Sequence, residues 1–305
     1  MAQLIANNIE IEVEDHGDPS NPAVLLIMGL AAQLTLWPPA LIQHLVDEGY
    51  RVIAFDNRDV GLSKKLHTKR APKPQLMILA GRLGLNGLAP YRLNDMAADA
   101  VGVLDALNVK DAHVVGASMG GMIAQIMAAE HPTRVKSLTA WMSSTNNPKL
   151  PAADPSISKA VLNARTRAHS QTDLIDQTTA LWTLIGTKNS GVDPEEMRKR
   201  VTVSLERCNY PAGIRRQIAA IVATGDLRSW TRKISAPTLV IHGSADPLVP
   251  HPAGEDIAAN IKGSRFELLE GMGHDVPPSH LPQINQLIAD HFRAVEENAA
   301  SIQAA

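Results

Sequence analysis

Apolar positions along the chain switch between a period of two and a period near three and a half. Residues 2–13 alternate as a pair of strands, with Asn7-Asn8 near the turn. Ala23-Val24-Leu25-Leu26-Ile27-Met28 is a continuous apolar run, which suits a strand covered on both faces of a parallel sheet. Residues 50–55 read as the next strand. Between the two, Leu41, Ile42, Leu45 and Val46 fall at helical spacing, and Gly49 stops that helix. Another helix starts near Asn94-Asp95, either of which can cap it, and presents Met96, Val103, Leu104 and Leu107. His113-Val114-Val115 then leads into an Ala/Met-rich helix that runs to about Glu130, just before Pro132. Further strands are expected at 135–141, 237–242 and 265–269. The chain closes with a helix over 281–295 and a small-residue tail that reads as frayed. This alternation of strand and helix predicts a doubly wound α/β sheet, whose site lies at the carboxyl ends of its strands.

One stretch breaks the alternation. From about 144 to 231 no strand is evident, and helices are expected at 158–168, 172–185, 194–206 and 214–223. Both ends emerge at the functional edge of the sheet. The stretch therefore reads as a helical cap (lid) inserted after the sixth strand, with surface decoration as the alternative. The chain then divides into a core of residues 1–143 and 232–305 and a cap of 144–231. A second excursion, 66–93, carries Lys69, Arg70, Lys73, Arg82 and Arg92, which read as a solvated loop rather than an anion site.

Composition narrows the picture. With 305 residues the chain can bury a substantial core. Its 29 Lys and Arg nearly balance 31 Asp and Glu, so no nucleic-acid footprint is expected. No apolar run reaches the ~18 residues of a membrane span. The first ten residues have no basic start and no long apolar stretch, so no secretory signal is read and a cytoplasmic location is expected. Cys208 is the sole cysteine, which rules out an internal disulfide. Its neighbours form no cysteine-nucleophile signature, and a packed or half-exposed thiol is the expectation. The histidines show neither H-x-x-x-H nor H-E-x-x-H spacing, and no phosphate-binding G-x-x-x-x-G-K-[ST] loop occurs.

The candidate chemistry centres on Gly116-Ala117-Ser118-Met119-Gly120, set between a strand and a helix. There a serine stands on a sharp corner with its hydroxyl pushed outward, and Gly116 and Gly120 lack the Cβ atoms that would crowd the turn. A serine hydroxyl needs a base to take its proton and a third group to orient that base. Asp246 follows the strand at 237–242, although Asp-Pro also starts ordinary turns; Asp226 is the weaker rival acid. His274 follows the last strand between flexible glycines and is the expected base, with His242, His251 and His280 as alternatives. The oxyanion hole is expected from the backbone amides of Met119 and Leu30, with Gly29 allowing close approach.

These residues resemble the α/β-hydrolase superfamily over nearly the whole chain. Asp56-Asn57-Arg58-Asp59-Val60-Gly61-Leu62-Ser63 is similar to its D-x-R-x-x-G-x-S segment. Ile27-Met28-Gly29-Leu30 through Trp37-Pro38 resembles the aclacinomycin methylesterase-like esterases. The resemblance implies a mostly parallel eight-stranded sheet, a helical cap and a small-molecule ester substrate. It also implies hydrolysis through an acyl-enzyme with no cofactor. Many relatives carry His-Gly where this chain has Met28-Gly29, which bears on substrate choice and not on a backbone donor. Asp56 and Arg58 read as a structural charge pair under the site. The same machinery could serve a thioesterase, an amidase or a C–C hydrolase, and a triad-bearing, receptor-like binding protein without turnover is the rival of another class. Leu181, Trp182, Leu184, Ile185, Ile218 and Ile221 offer either an apolar pocket for a short acyl chain or the insertion's own core. The sequence leaves a homo-oligomer open.

Overall fold

The computed structural model describes residues 2–67, 88–163 and 170–303. Its eight strands are β1 (Ala2–Ala6), β2 (Ile9–His16), β3 (Ala23–Ile27), β4 (Arg51–Phe55), β5 (Ala112–Ala117), β6 (Val135–Trp141), β7 (Thr238–Gly243) and β8 (Arg265–Leu269). They form one sheet in the order β1-β2-β4-β3-β5-β6-β7-β8. The β1–β2 and β2–β4 pairs are antiparallel and all other pairs are parallel. The expected doubly wound, mostly parallel eight-stranded α/β sheet is the observed one.

Period-two alternation divides the core between the two faces of this sheet. Val24, Leu26, Val52, Ala54 and Val115 point to one face. There they meet Leu41 and Leu45 of helix α1 (Pro39–Asp47) and Ile284, Ile288 and Phe292 of the C-terminal helix α10 (Leu281–Gln303). Leu25, Ile27, Ile53, Phe55 and Val114 point to the other face. These pack on Met96 and Ala100 of α2 (Leu93–Ala106) and on Ile123 and Ile126 of α3 (Met119–Glu130). Strands buried on both faces in this way account for the unbroken apolar run at 23–28.

Helix α10 extends past the expected end at 295, because Ala299 and Ala300 are strong helix formers and nothing in the tail breaks the helix. Helix α2 begins at Leu93, slightly before the expected Asn94-Asp95. Asp95 acts from inside the first turn, its carboxylate accepting the Arg92 amide at 2.8 Å. Among the described residues no helix is long and apolar enough to cross a membrane.

Between β6 and β7 the chain forms α4 (Pro155–Asn163), α5 (Gln171–Ile185), α6 (Pro194–Arg207), α7 (Pro211–Thr224) and the short α8 (Arg228–Thr231). Local sequence sets their starts. The Ser170 hydroxyl caps α5 by accepting the Asp173 amide, and Asp193 does the same for α6 with Pro194 in its first turn. Pro211 opens α7. Of the helix expected at 158–168, the part beyond 163 lies outside the described residues, as do Lys69, Arg70, Lys73 and Arg82. Short α8 packs back against α3, where the Thr231 hydroxyl donates to Gln125 Oε1 at 2.9 Å. Helix α9 (Pro252–Asn260) then covers β7 and β8.

The strand order reverses between β3 and β5, and the loops leaving these two strands meet there. They carry Gly29-Leu30 and Ser118, the placement expected of a topological switch point.

Candidate active site

Ser118 is the one residue between β5 and α3, with φ +55° and ψ −121°. A left-handed backbone costs an L-residue of order 1–3 kcal/mol and persists only where the surroundings impose it. Here the Ser118 amide donates to the Trp141 carbonyl at 2.9 Å. The Ser118 carbonyl accepts the Gly121 amide at 2.9 Å and the Ser143 hydroxyl at 2.7 Å. Both elbow glycines are required by space. A Cβ on Gly120 would sit 2.0 Å from the Ile27 carbonyl oxygen, and one on Gly116 would sit 2.3 Å from that of Gly120. The neighbouring loop is equally close, since a Cβ on Gly29 would lie 3.0 Å from Ser118 Cβ.

His274 reaches this serine from the loop after β8. Its Nε2 lies 3.0 Å from Ser118 Oγ, and its Nδ1 lies 2.7 Å from Asp246 Oδ2. The other oxygen of Asp246 accepts the amides of Leu248 and Val249 at 2.9 and 2.8 Å. Burial pushes the Asp246 carboxyl up. The neighbouring His274 and His242 imidazoles and the hydrogen bond from the Val249 amide outweigh it and hold the group well below the usual carboxylate range. An ionised Asp246 can only accept, so the network assigns the His274 proton to Nδ1. The Nε2 lone pair then faces the serine hydroxyl.

Two amides flank the serine. Met119 opens α3, where a first-turn N–H has no helical acceptor and sits at the positive end of the helix dipole. Leu30 lies in the turn after β3. Among the described residues neither amide has a hydrogen-bond partner.

The alternatives go elsewhere. His242 donates from Nε2 to the Val249 carbonyl at 2.8 Å, His251 pairs with Glu255, and His280 bonds the Glu270 carbonyl. Asp226 is held by Arg228, 2.6 Å away. Cys208 is a half-buried free thiol. Asp56 and Arg58 are not paired with each other, contrary to the expectation from sequence. Arg58 forms two 2.6 Å bonds to Asp99 on α2. Asp56 pairs at 2.7 Å with Arg207 on α6, and it also accepts the Leu34 and Leu62 amides. The correction has a physical reason. The strand ends at Phe55 and the chain turns at Arg58 and Asp59, so strand pairing no longer sets where the two side chains go, and each meets its own counter-charge.

A cavity of about 120 Å³ lies over Ser118, between the strand ends and the inserted helices. Leu30 and Met142 line it from below, and Leu181, Trp182, Ile185 and Ile214 from above. Of the apolar residues singled out from sequence, Leu184 faces solvent at 47% exposure and Ile221 packs on the core. The polar exception in the upper wall is Thr178, whose buried hydroxyl has no protein partner.

Several contacts between the inserted helices and the loops of the site are invisible in the sequence. Thr187 bonds Asp275 and Gly273 beside His274, and Gln217 bonds Ala31 beside Leu30. Asp275 could have been flagged by its place next to His274. Gln217 carried no signal, because its partner is 186 positions away.

Comparison with known proteins agrees with this fold. A model of the alpha/beta hydrolase fold family matches residues 22–281. Rhodomycin D methylesterase of Streptomyces peucetius is 27% identical, over 96% of this chain and 98% of that protein. A 3-oxoadipate enol-lactonase of Acinetobacter baylyi is 25% identical, over 90% of this chain and 88% of that protein. The crystal structure of the enol-lactonase from Burkholderia xenovorans LB400 superimposes with a TM-score of 0.73 at 20% identity, covering 96% of this chain and all (100%) of that one. The match spans every strand from β3 to β8 together with the serine corner and the loop that carries His274, and on it the chain belongs to the alpha/beta hydrolase fold family.

Proposed function

We propose that the protein is a serine hydrolase of carboxylic esters, with Ser118 as nucleophile, His274 as general base and acid, and Asp246 as the group that orients the imidazole. The observation that carries this reading is the unbroken hydrogen-bond chain from Ser118 Oγ through His274 to Asp246, beside two unpartnered amides. Ser118 Oγ attacks the ester carbonyl carbon as His274 Nε2 takes its proton. The amides of Met119 and Leu30 hold the resulting oxyanion, a contribution of about 10²–10³ in rate per donor. His274 returns the proton to the departing alkoxide and leaves an acyl-enzyme. A water then gives its proton to His274 and attacks the acyl carbon; collapse of that intermediate frees the acid and restores the serine.

Residues 144–231 act in this reading as a cap, whose helices close the apolar cavity over the serine. The methylesterase and enol-lactonase relatives support a carboxylic ester as the substrate. The cavity holds roughly four water volumes, and the lining named above is uncharged. This favours an ester whose enclosed group is small and neutral, because a charge buried there would have no partner.

Nitrophenyl esters of increasing acyl length test the reading. Continuous turnover that is fastest on short acyl chains is expected. Release of a single equivalent with no further turnover would favour a binding protein, and no reaction with any ester would overturn the proposal.

A further inference from the structure

The Met119 amide shares one peptide group with the Ser118 carbonyl. The group is planar and trans, so its N–H and C=O point in opposite directions and neither turns without the other. Whatever holds the Ser118 carbonyl therefore sets the aim of the Met119 N–H. From within α3 the carbonyl accepts the Gly121 amide at 2.9 Å and the Met122 amide at a long 3.3 Å. Its shortest bond comes from outside the helix, from the Ser143 hydroxyl at 2.7 Å.

The chain leaving β6 is shaped to deliver that hydroxyl. Met142 has φ +42°, a left-handed backbone that costs a residue with a side chain of order 1–3 kcal/mol. Its amide is fixed to the Ile241 carbonyl on β7 at 2.8 Å. The Met142 side chain lines the cavity, whereas Ser143 is buried under the serine corner at 1% exposure and takes no part in the lining. A Cβ on Gly121 would lie 2.6 Å from both Cβ and Oγ of Ser143, so only glycine lets the first turn of α3 settle on it. Ser143 thus reaches the reacting atoms only through the Ser118–Met119 peptide. A hydrogen bond to a carbonyl also polarises its peptide and strengthens the N–H at the other end as a donor.

We propose that Ser143 is a positioning residue for the oxyanion hole, its hydroxyl holding the Ser118 carbonyl so that the Met119 N–H on the same peptide stays aimed at the substrate oxyanion. The inference rests on the ester-hydrolase reading above, in which Met119 is a donor. It gives the end of β6 a role in the chemistry although that strand carries no member of the triad. Without the hydroxyl, only the two helix amides restrain the peptide, and the N–H tilts away from its best alignment.

The test compares a short nitrophenyl ester with its thiono counterpart, in which sulfur replaces the carbonyl oxygen. Sulfur accepts hydrogen bonds weakly, so the thiono ester gains little from a well-aimed donor. Ser143→Ala should lower kcat on the oxygen ester by roughly tenfold with KM changed less than about threefold, as expected for a contact that aligns a transition-state donor. On the thiono ester the fall should be less than about threefold, so the preference for oxygen over sulfur shrinks. Inhibition by a trifluoromethyl ketone, whose adduct with serine carries an oxyanion, should weaken by about the same factor as the oxygen ester. Ser143→Cys, which keeps most of the buried volume but donates weakly, should also shrink the preference and serves if the alanine variant does not fold. A kcat on the oxygen ester within twofold of wild type would overturn the inference. So would an equal fall on both esters, which would make Ser143 a support of the nucleophile alone. Either result leaves the ester-hydrolase reading standing, whereas absence of ester turnover by the wild-type protein would remove both.

Discussion

Asp275 Oδ1 accepts both the backbone amide of Thr187, at 3.0 Å, and its hydroxyl, at 2.6 Å. The same hydroxyl accepts the Gly273 amide at 2.8 Å, and the His274 amide donates to the Ile185 carbonyl at 2.8 Å. The C-terminal end of α5 thus grips the residues on both sides of the proposed base. Thr187→Val removes the hydroxyl and leaves the Gly273 amide without an acceptor. Its kcat should fall by about tenfold with little change in KM, since displacement of a catalytic group acts on the chemical step. Thr187→Ser should recover most of the loss. Steady-state kinetics of the two variants checks the role of this contact.

Asp246→Asn should lower kcat by about 10³–10⁴. The carboxamide can offer its N–H to His274 Nδ1, which stabilises the tautomer with its proton on Nε2 and leaves no lone pair for Ser118. The measurement is kcat on an activated ester, with far-ultraviolet circular dichroism expected to match wild type.

Gly29→Ala places a Cβ 3.0 Å from Ser118 Cβ and 3.2 Å from the Ala117 carbonyl oxygen. Both neighbours are backbone or nearly so, and Ser118 is already held by bonds on either side. The strand end must therefore shift by a few tenths of an ångström. A fall in kcat of roughly tenfold is expected from this displacement of the nucleophile, with a smaller effect on unfolding free energy. Comparing kinetics with denaturant midpoints separates the two.

Acid stability should depend on a histidine far from the site. His113 is buried in β5, stacked on Phe292, with Nδ1 2.7 Å from the Ser137 hydroxyl and Nε2 2.9 Å from Glu296. Burial pulls its pKa down from 6.5 to about 4, against the opposing pull of Glu296. The unfolded chain binds a proton at this residue below pH 6.5 that the folded chain refuses until about pH 4. The stabilisation is complete above that window and is lost as pH falls through it, by about 2 kcal/mol between pH 7 and pH 5. Urea unfolding should show this slope, and His113→Gln, which keeps one donor and one acceptor but does not titrate, should flatten it. His291, also pulled down to about 4 by burial, adds a slope of the same sign.

The fold and the three side chains about Ser118 were legible because their signals are local. The elbow glycines are needed within a few residues of the serine, and the run at 23–28 declares a strand covered on both faces. Asp246 and His274 each follow a recognisable strand. The wiring between insertion and core was not legible. Arg207 meets Asp56 across 151 positions and Gln217 meets Ala31 across 186, and a charge or an amide on a helical stretch does not name its partner. Asp56 and Arg58 misled for the same reason: nearness in sequence suggested a pair, while tertiary packing gave each a different counter-charge.

The central claim is that Ser118 is the nucleophile of an acyl transfer. Turnover of a short nitrophenyl ester by Ser118→Ala, measured beside wild type and with folding verified, tests it most directly. The account predicts a loss of at least about 10³-fold. Turnover within tenfold of wild type would contradict it.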